Sequence, residues 1–337
     1  MTPRLRALAS IALALAMCAL LGGSGALAGQ SATARPSAAP TSLVLGQAAP
    51  YEYLGWGNPQ PPTHVMAATG IKQLTLAFVI SDGTCNPAWD GSRPLLGGMD
   101  QSAIDDIRAV GGDVVVSFGG WSGQKLGVRC PTPAALAGAY QKVIDAYTLG
   151  AIDIDIEHTE MSSATVRQRV VDALKIVRQD DPSVLIYITL GTAQNGPDAD
   201  SSDLIRRAAA AGLSPDAWAI MPFDFGAPVA NMGKVSIKAA EGEKRDLMAA
   251  YGESAAAAYH TMGISSMNGQ TDERDETVTL HDFRTILAYV RQHHLARFTF
   301  WAVNRDRKCQ WGSGSDSCSG IQQAPFAFTK IVAQYQG

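Results

Sequence analysis

The chain has 337 residues, 46% of them hydrophobic and 17% charged, which suits one large globular domain or two modest ones. Its 27 Lys and Arg against 31 Asp and Glu leave a formal net charge of −4, and no basic run occurs. That balance argues against nucleic acid or an anionic membrane surface as partner.

Arg4 and Arg6 precede an apolar run from Ala7 to Leu21, and Ala26-Leu27-Ala28 follows. A charged start, an apolar middle and small residues before a cleavage point predict a secretory signal peptide over residues 1–28. Cys18 follows Met17, whereas a lipoprotein anchor needs a small residue there. Residues 29–45, rich in Ala, Ser, Thr and Pro, read as a tether. Residues 46–337 read as one folded domain, exported and extracellular; no later stretch is apolar for long enough to cross a bilayer.

Within that domain Pro50 to Leu54 predicts a short first strand, Thr63 to Thr69 a helix, and Ile71 to Ile80 a buried strand. Gln101 to Val110 is helical by spacing, and Asp113 to Trp121 is a strand running into a glycine turn. Thr132 to Thr148 is a helix with Thr132 as cap and Pro133 in its first turn. After the stretch Ala151 to Glu157 come a helix (Ser163 to Arg178), a strand (Val184 to Leu190), a helix (Ser202 to Ala211) and a strand (Ala217 to Phe225). Glu241 to His260 predicts one Ala-rich helix, Gly263 to Met267 a strand, Leu280 to His294 a helix, Ala296 to Trp301 a strand and Pro325 to Tyr335 a last helix. Eight strand signals, most followed by a helix, predict an α/β fold, a single (β/α)8 TIM barrel. A doubly wound sheet is the rival, but no Gly-x-Gly-x-x-Gly turn follows the first strand.

Without Cys18 four cysteines remain, Cys85, Cys130, Cys309 and Cys318, and an even number in an exported chain predicts two disulfides. Of three pairings, Cys309 with Cys318 is favoured because Gln310 to Ser317 can turn back on itself; Cys85 with Cys130 then remains. No Cys-x-x-Cys or paired-His spacing points to a metal site.

The stretch Ala151-Ile152-Asp153-Ile154-Asp155-Ile156-Glu157 organises the rest. Alternation is the strand period, so three carboxyls share one face and three isoleucines the other. Like charges on a poorly hydrated face cannot all ionise, and such faces supply a carboxyl of raised pKa. The competing reading is a half-exposed strand with an acidic outer face. In a barrel, catalytic groups sit at the carboxyl ends of strands. Glu157 ends the fourth, Asp224 lies at the end of the sixth and Trp301 ends the eighth.

These residues resemble glycoside hydrolase family 18, the chitinases and their relatives. The family's Asp-x-x-Asp-x-Asp-x-Glu signature is filled in its last three places by Asp153, Asp155 and Glu157. Ser117-Phe118-Gly119-Gly120 resembles the third-strand signature, and Met221-Pro222-Phe223-Asp224 the sixth-strand motif. Trp301 matches the tryptophan under the reactive sugar. The resemblance implies a secreted chitinase that hydrolyses β-1,4-linked N-acetylglucosamine polymers with retention and with help from the substrate. Glu157 would be the acid, Asp155 would orient the acetamido group, and Asp153 would share a proton with Asp155 and tune Glu157. Asp224, Met221, Phe223, Trp301 and Trp121 would bind substrate. No cofactor and no metal enter this scheme, and chitin or a related oligosaccharide met by a monomer is the expected encounter.

Two departures stand out: Gly150 replaces the first Asp, and Phe223 stands where many relatives have tyrosine. An endo-β-N-acetylglucosaminidase acting on glycoprotein glycans and a non-catalytic chitin-binding lectin are the alternatives. Among single residues the plainer readings are a glycine-turn role for Ser117, a helix cap for Asp224 and core filler for Trp301. Trp56, Trp89, Trp121 and Trp311 fall in loops, where some would line a cleft.

Overall fold

The computed structural model describes residues 48–337 apart from Arg274. The expected signal peptide and tether lie outside the described residues. Eight strands alternate with eight principal helices in chain order. They are β1 (Tyr51–Tyr53), α1 (Pro62–Thr69), β2 (Gln73–Ser81), α2 (Met99–Ala109), β3 (Asp113–Gly119), α3 (Pro133–Tyr147), β4 (Ala151–Ile156) and α4 (Ala164–Asp180). The second half runs β5 (Leu185–Ala193), α5 (Ala199–Ala211), β6 (Ala217–Met221), α6 (Met232–Tyr251), β7 (Met262–Met267), α7 (Leu280–His293), β8 (Arg297–Trp301) and α8 (Ala327–Val332).

All neighbouring pairs from β1 to β8 are parallel and follow sequence order, the topology of a (β/α)8 barrel. The isoleucines of β4 face outward into a continuous apolar layer with Val114, Val116, Ile186 and Ile188, beneath the helices. The alternate positions face the barrel axis. Pairing sets Ser117 beside Asp153 and Gly119 beside Asp155, with Tyr187 and Thr189 opposite on β5. A small apolar plug that includes Val115, Tyr187, Ala217 and Ala296 fills the lower interior.

Among the described residues no ladder joins β8 to β1. That seam is closed by side chains. The Asn304 amide accepts from Tyr53 N (3.1 Å) and donates to Tyr53 O (2.8 Å), copying a strand's donor and acceptor. Thr75 and Thr299 both donate to the Ala49 carbonyl (2.7 and 2.6 Å) from either side.

Helix ends follow local chemistry. Thr132 caps α3 through Ala135 N, and Thr279 with Asp282 forms a capping box at α7. The single helix expected over Glu241 to His260 is two. Asn231 caps α6 at Lys234 N, so it starts at Met232; Gly252 ends it in the left-handed conformation, and Ser254 caps a short helix, Ala255–Thr261. The sixth strand stops at Met221, short of the expected Phe225, because Phe223 N turns back to Met221 O and Asp224 has φ +53°. Sequence periodicity also passed over a short strand, Pro87–Trp89, antiparallel to β2, and a hairpin of Gly269–Gln270 with Thr277–Val278.

Both expected disulfides are present, Cys85–Cys130 and Cys309–Cys318, with Cα separations of 4.5 and 5.0 Å. Among the described residues no helix is long and apolar enough to cross a membrane.

Candidate active site

A cavity of about 530 Å³ opens at the carboxyl ends of the strands. It is lined by Asp155 from β4 and Glu157 just after it, by Met221 at the end of β6 with Phe223 and Asp224 after it, by Trp301 from β8 and by Trp121 after β3. Of the sequence-predicted site residues only Asp153 does not line it; it lies one strand pleat below.

Asp153 is fully partnered. Its Oδ2 accepts from Ser117 Oγ (2.6 Å) and Tyr51 Oη (2.7 Å), and its Oδ1 from Thr189 Oγ1 (2.8 Å). Arg297 Nη2 lies 4.0 Å away, bonded to Thr75 and stacked over Tyr187. Ser117 thus has its role through Asp153.

Asp155 is 4% exposed, and its Oδ1 has no hydrogen-bond partner. Burial first, then the Glu157 and Asp153 carboxyls, push its pKa well up. Glu157 lies one residue past the end of β4, where the chain turns into the short helix His158–Met161, rather than within the strand; it lines the cavity, and no side chain hydrogen-bonds its carboxyl among the described residues. Burial raises its pKa to about 7; Asp224 and Asp272 add to the rise and Lys125 opposes it. A carboxyl that keeps its proton up to neutral pH is equipped to be a general acid.

Lys125 went unnoticed in the sequence. It is buried, and its ammonium is caged by the carbonyls of Gly119 (3.1 Å), Gly120 and Ser122 (2.6 Å). It therefore fixes the turn that carries Trp121 and places a positive charge near Asp155, Glu157 and Glu160. Glu160 sits beside it, bonded to Gly127 N (2.7 Å) and raised by burial to about 7. Gly119, at φ +101°, lies so close to the Asp155 carbonyl that a Cβ would meet it at 2.1 Å.

The cavity floor is aromatic. Trp301 stacks on Tyr53 (4.7 Å) and on Phe78 (5.4 Å), and Trp56 stacks on Tyr53 at 3.8 Å. Trp121 stands at the rim, 65% exposed, next to the His158 ring at 5.0 Å. Trp89 is not in a cleft: it is 1% exposed, with its indole N–H on Tyr147 Oη (2.8 Å). Asp224 is more than a cap. Its Oδ1 accepts the backbone N–H groups of Asp272 (2.9 Å) and Glu273 (3.2 Å), and Glu276 accepts its own N–H (2.7 Å). One carboxylate thus pins the loop after β7 against the one after β6 and brings Asp272 to the cavity. Among the described residues no group of His, Cys, Asp and Glu is arranged to hold a metal ion.

No protein-family model matches the chain. The catalytic domain of a hyperthermophilic chitinase from Pyrococcus furiosus is 30% identical to it, with a TM-score of 0.78 over 87% of this chain and 96% of that one. Catalytic-site mutants of active domain 2 of thermostable chitinase from the same organism, complexed with chito-oligosaccharides, are 29% identical with a TM-score of 0.79, covering 89% of this chain and 97% of theirs. A probable bifunctional chitinase/lysozyme of Escherichia coli strain K12 is 26% identical over 285 residues, 79% of this chain and 32% of that protein. The chain spans less than half the length of the curated relatives it matches.

Proposed function

The chain belongs to the family 18 glycoside hydrolases, and on that premise we propose that it is a secreted chitinase cleaving β-1,4-linked N-acetylglucosamine chains with retention. The observation that carries the reading is Glu157, held at a pKa of about 7 by burial, unbonded, and aimed into a cavity floored by Trp301. The same type of carboxyl appears in glycosidases that protonate a leaving oxygen.

In this reading a sugar ring lies on Trp301 with its glycosidic oxygen at Glu157. Glu157 gives its proton to that oxygen as the bond to the anomeric carbon breaks. The acetamido carbonyl oxygen of the same sugar bonds to that carbon from the opposite face, giving an oxazolinium ion. Asp155, whose side chain lines the cavity beside Glu157, is the acceptor offered to the acetamido N–H. Water then attacks from the side the leaving group left, Glu157 takes its proton, and two inversions amount to retention. Asp153 acts from below by holding the strand's charge in a fixed place. Met221 and Phe223 flank the ring, Trp121 meets the chain at the rim, and Asp224 keeps the loop wall closed.

Hydrolysis of a soluble chitin tetramer by the mature protein and by Glu157→Gln tests this. The expected outcome is β-anomeric product from the first and a loss of about 10²–10⁴-fold in the second, the usual weight of one general acid. A tetramer that binds to both proteins and is cut by neither would make the protein a lectin instead.

A further inference from the structure

Glu160 is a buried acid, 2% exposed, to which hydrolysis as described assigns no part. Its place on the chain joins it to the reacting carboxyl. The helix His158–Met161 is a single turn, in which the N–H groups of Glu160 and Met161 return to the Glu157 carbonyl (3.0 and 3.3 Å). His158, directly after the acid, has φ +46°, a conformation that costs any residue but glycine free energy and lasts only where the surroundings impose it. A lone turn of helix is unstable by itself. The direction of the Glu157 side chain therefore depends on what holds this turn from outside.

Arg167 of α4 donates to Met161 O at one end of the turn. Glu160 itself reaches across to the loop after β3, where its Oε1 accepts from Gly127 N (2.7 Å). Gly127 lies in a second single turn, Leu126–Arg129, which begins directly after Lys125, and its carbonyl accepts from Arg169 of α4 (2.7 Å). A Cβ at Gly127 would lie 2.5 Å from Glu160 Oε1, so the glycine is what admits the carboxyl. Together with Gly120 N on Asp155 O (2.8 Å), the Glu160 bond ties the turn of Trp121 and Lys125 to the turn of Glu157.

We propose that Glu160 is a positioning residue for the acid: by binding Gly127 N it fixes the backbone turn at Glu157, so that the Glu157 carboxyl meets the leaving oxygen. The inference rests on the hydrolase reading above and adds to it a residue that does not touch substrate. Lys125 and the Tyr140 hydroxyl of α3 are the ionisable groups packed about Glu160. Burial raises Glu160 to about 7, so in the acid range it serves as a neutral acceptor, a part that a glutamine amide can also play.

The test uses phenyl and dinitrophenyl β-chitobiosides, which share their sugars and differ in how much the leaving group needs a proton. Phenoxide leaves slowly unless it is protonated, and dinitrophenoxide leaves without help. kcat/KM is read on the wild type, Glu160→Ala, Glu160→Gln and, as reference, Glu157→Gln. Expected for Glu160→Ala is a loss of about 10- to 100-fold on the phenyl glycoside and no more than about threefold on the dinitrophenyl one, with Glu160→Gln within about threefold of the parent on both. A role in folding alone would lower both substrates by one factor, because a smaller folded fraction cancels in their ratio. Should Glu160→Ala yield no folded protein, Glu160→Asp, too short to reach Gly127 N, is read in its place. Equal losses on the two substrates, or a Glu160→Gln as impaired as Glu160→Ala, overturn the proposal. A Glu157→Gln that loses the two substrates equally overturns instead the acid role of Glu157, and this inference with it.

Discussion

Asp153, within β4, and Glu157, just past its end and four residues on, mark two regions that treat a carboxyl in opposite ways. In the barrel interior three hydroxyls and a guanidinium surround Asp153. At the mouth Glu157 has no hydrogen-bonding side chain and is raised to about 7 by burial. The lesson is that the repeated acid pattern is not one motif with one chemistry. The pleat sends one acid down to neighbours that complete it and the other up to a place where only a ligand could.

The comparison breaks most sharply at Asp153. Asp153→Ala would strand the hydroxyls of Tyr51, Ser117 and Thr189 and leave Arg297 unpaired in the core, costing about 3–5 kcal/mol. Urea unfolding should show a lower midpoint at unchanged slope. Glu157→Ala, removing an unbonded group, should leave the midpoint within about 0.5 kcal/mol of the parent.

Glu52 offers a second orphan, outside the barrel and away from the cavity. It is buried in β1, neither oxygen has a partner, and burial raises its pKa to about 8. A carboxyl whose folded pKa lies above its unfolded value of about 4.5 gives full stability below pH 4.5 and loses it as pH rises toward 8. Glu52→Gln should therefore match the parent near pH 4.5 and exceed it by roughly 4 kcal/mol near pH 8, read from thermal or urea unfolding across that range. An unchanged difference across pH would mean that the site is hydrated.

The smallest effects sharpen how the mouth is tuned. As the general acid must be protonated, kcat/KM should fall as pH rises through about 7. Lys125→Met removes the charge that opposes that rise and should move the alkaline limb upward; it should also slacken the Trp121 turn, lowering kcat/KM severalfold at the optimum. Asp272→Asn should move the limb downward. Limbs that stay in place in both variants would mean that burial alone sets the acid.

Much of this was legible in the sequence, for local reasons. Alternation in Ala151 to Glu157 specifies a strand and its faces without help from elsewhere, and Thr132, Ser163 and Thr279 carry their cap chemistry within three residues. What stayed hidden depends on distant partners. Lys125 follows a run of Gly and Ser, and its burial exists because the carbonyls of Gly119, Gly120 and Ser122 converge on it. Tyr53 read as one residue of a short strand; that it supports Trp301 follows from the meeting of β1 and β8. Trp89 read as a loop residue because its partner, Tyr147, lies 58 positions on. Asp272 and Asp316 join the cavity only through loops after β7 and β8, and no periodicity points to them.

The Asn304 amide has a consequence for motion. A sheet normally resists opening through many cooperative ladder bonds, but the join between β1 and β8 relies on one side chain reaching Tyr53 and on Thr299 reaching the Ala49 carbonyl below it. Local opening is cheapest where backbone bonds are fewest. The join runs directly beneath the aromatic floor, with Tyr53 on one bank and Trp301 on the other. Breathing of the barrel along this line would spread the two rings apart and loosen the bed on which a sugar lies. Amide exchange at Tyr53 should accordingly outpace that of the flanking β2 and β4 cores, and a bound oligosaccharide bridging both rings should slow it.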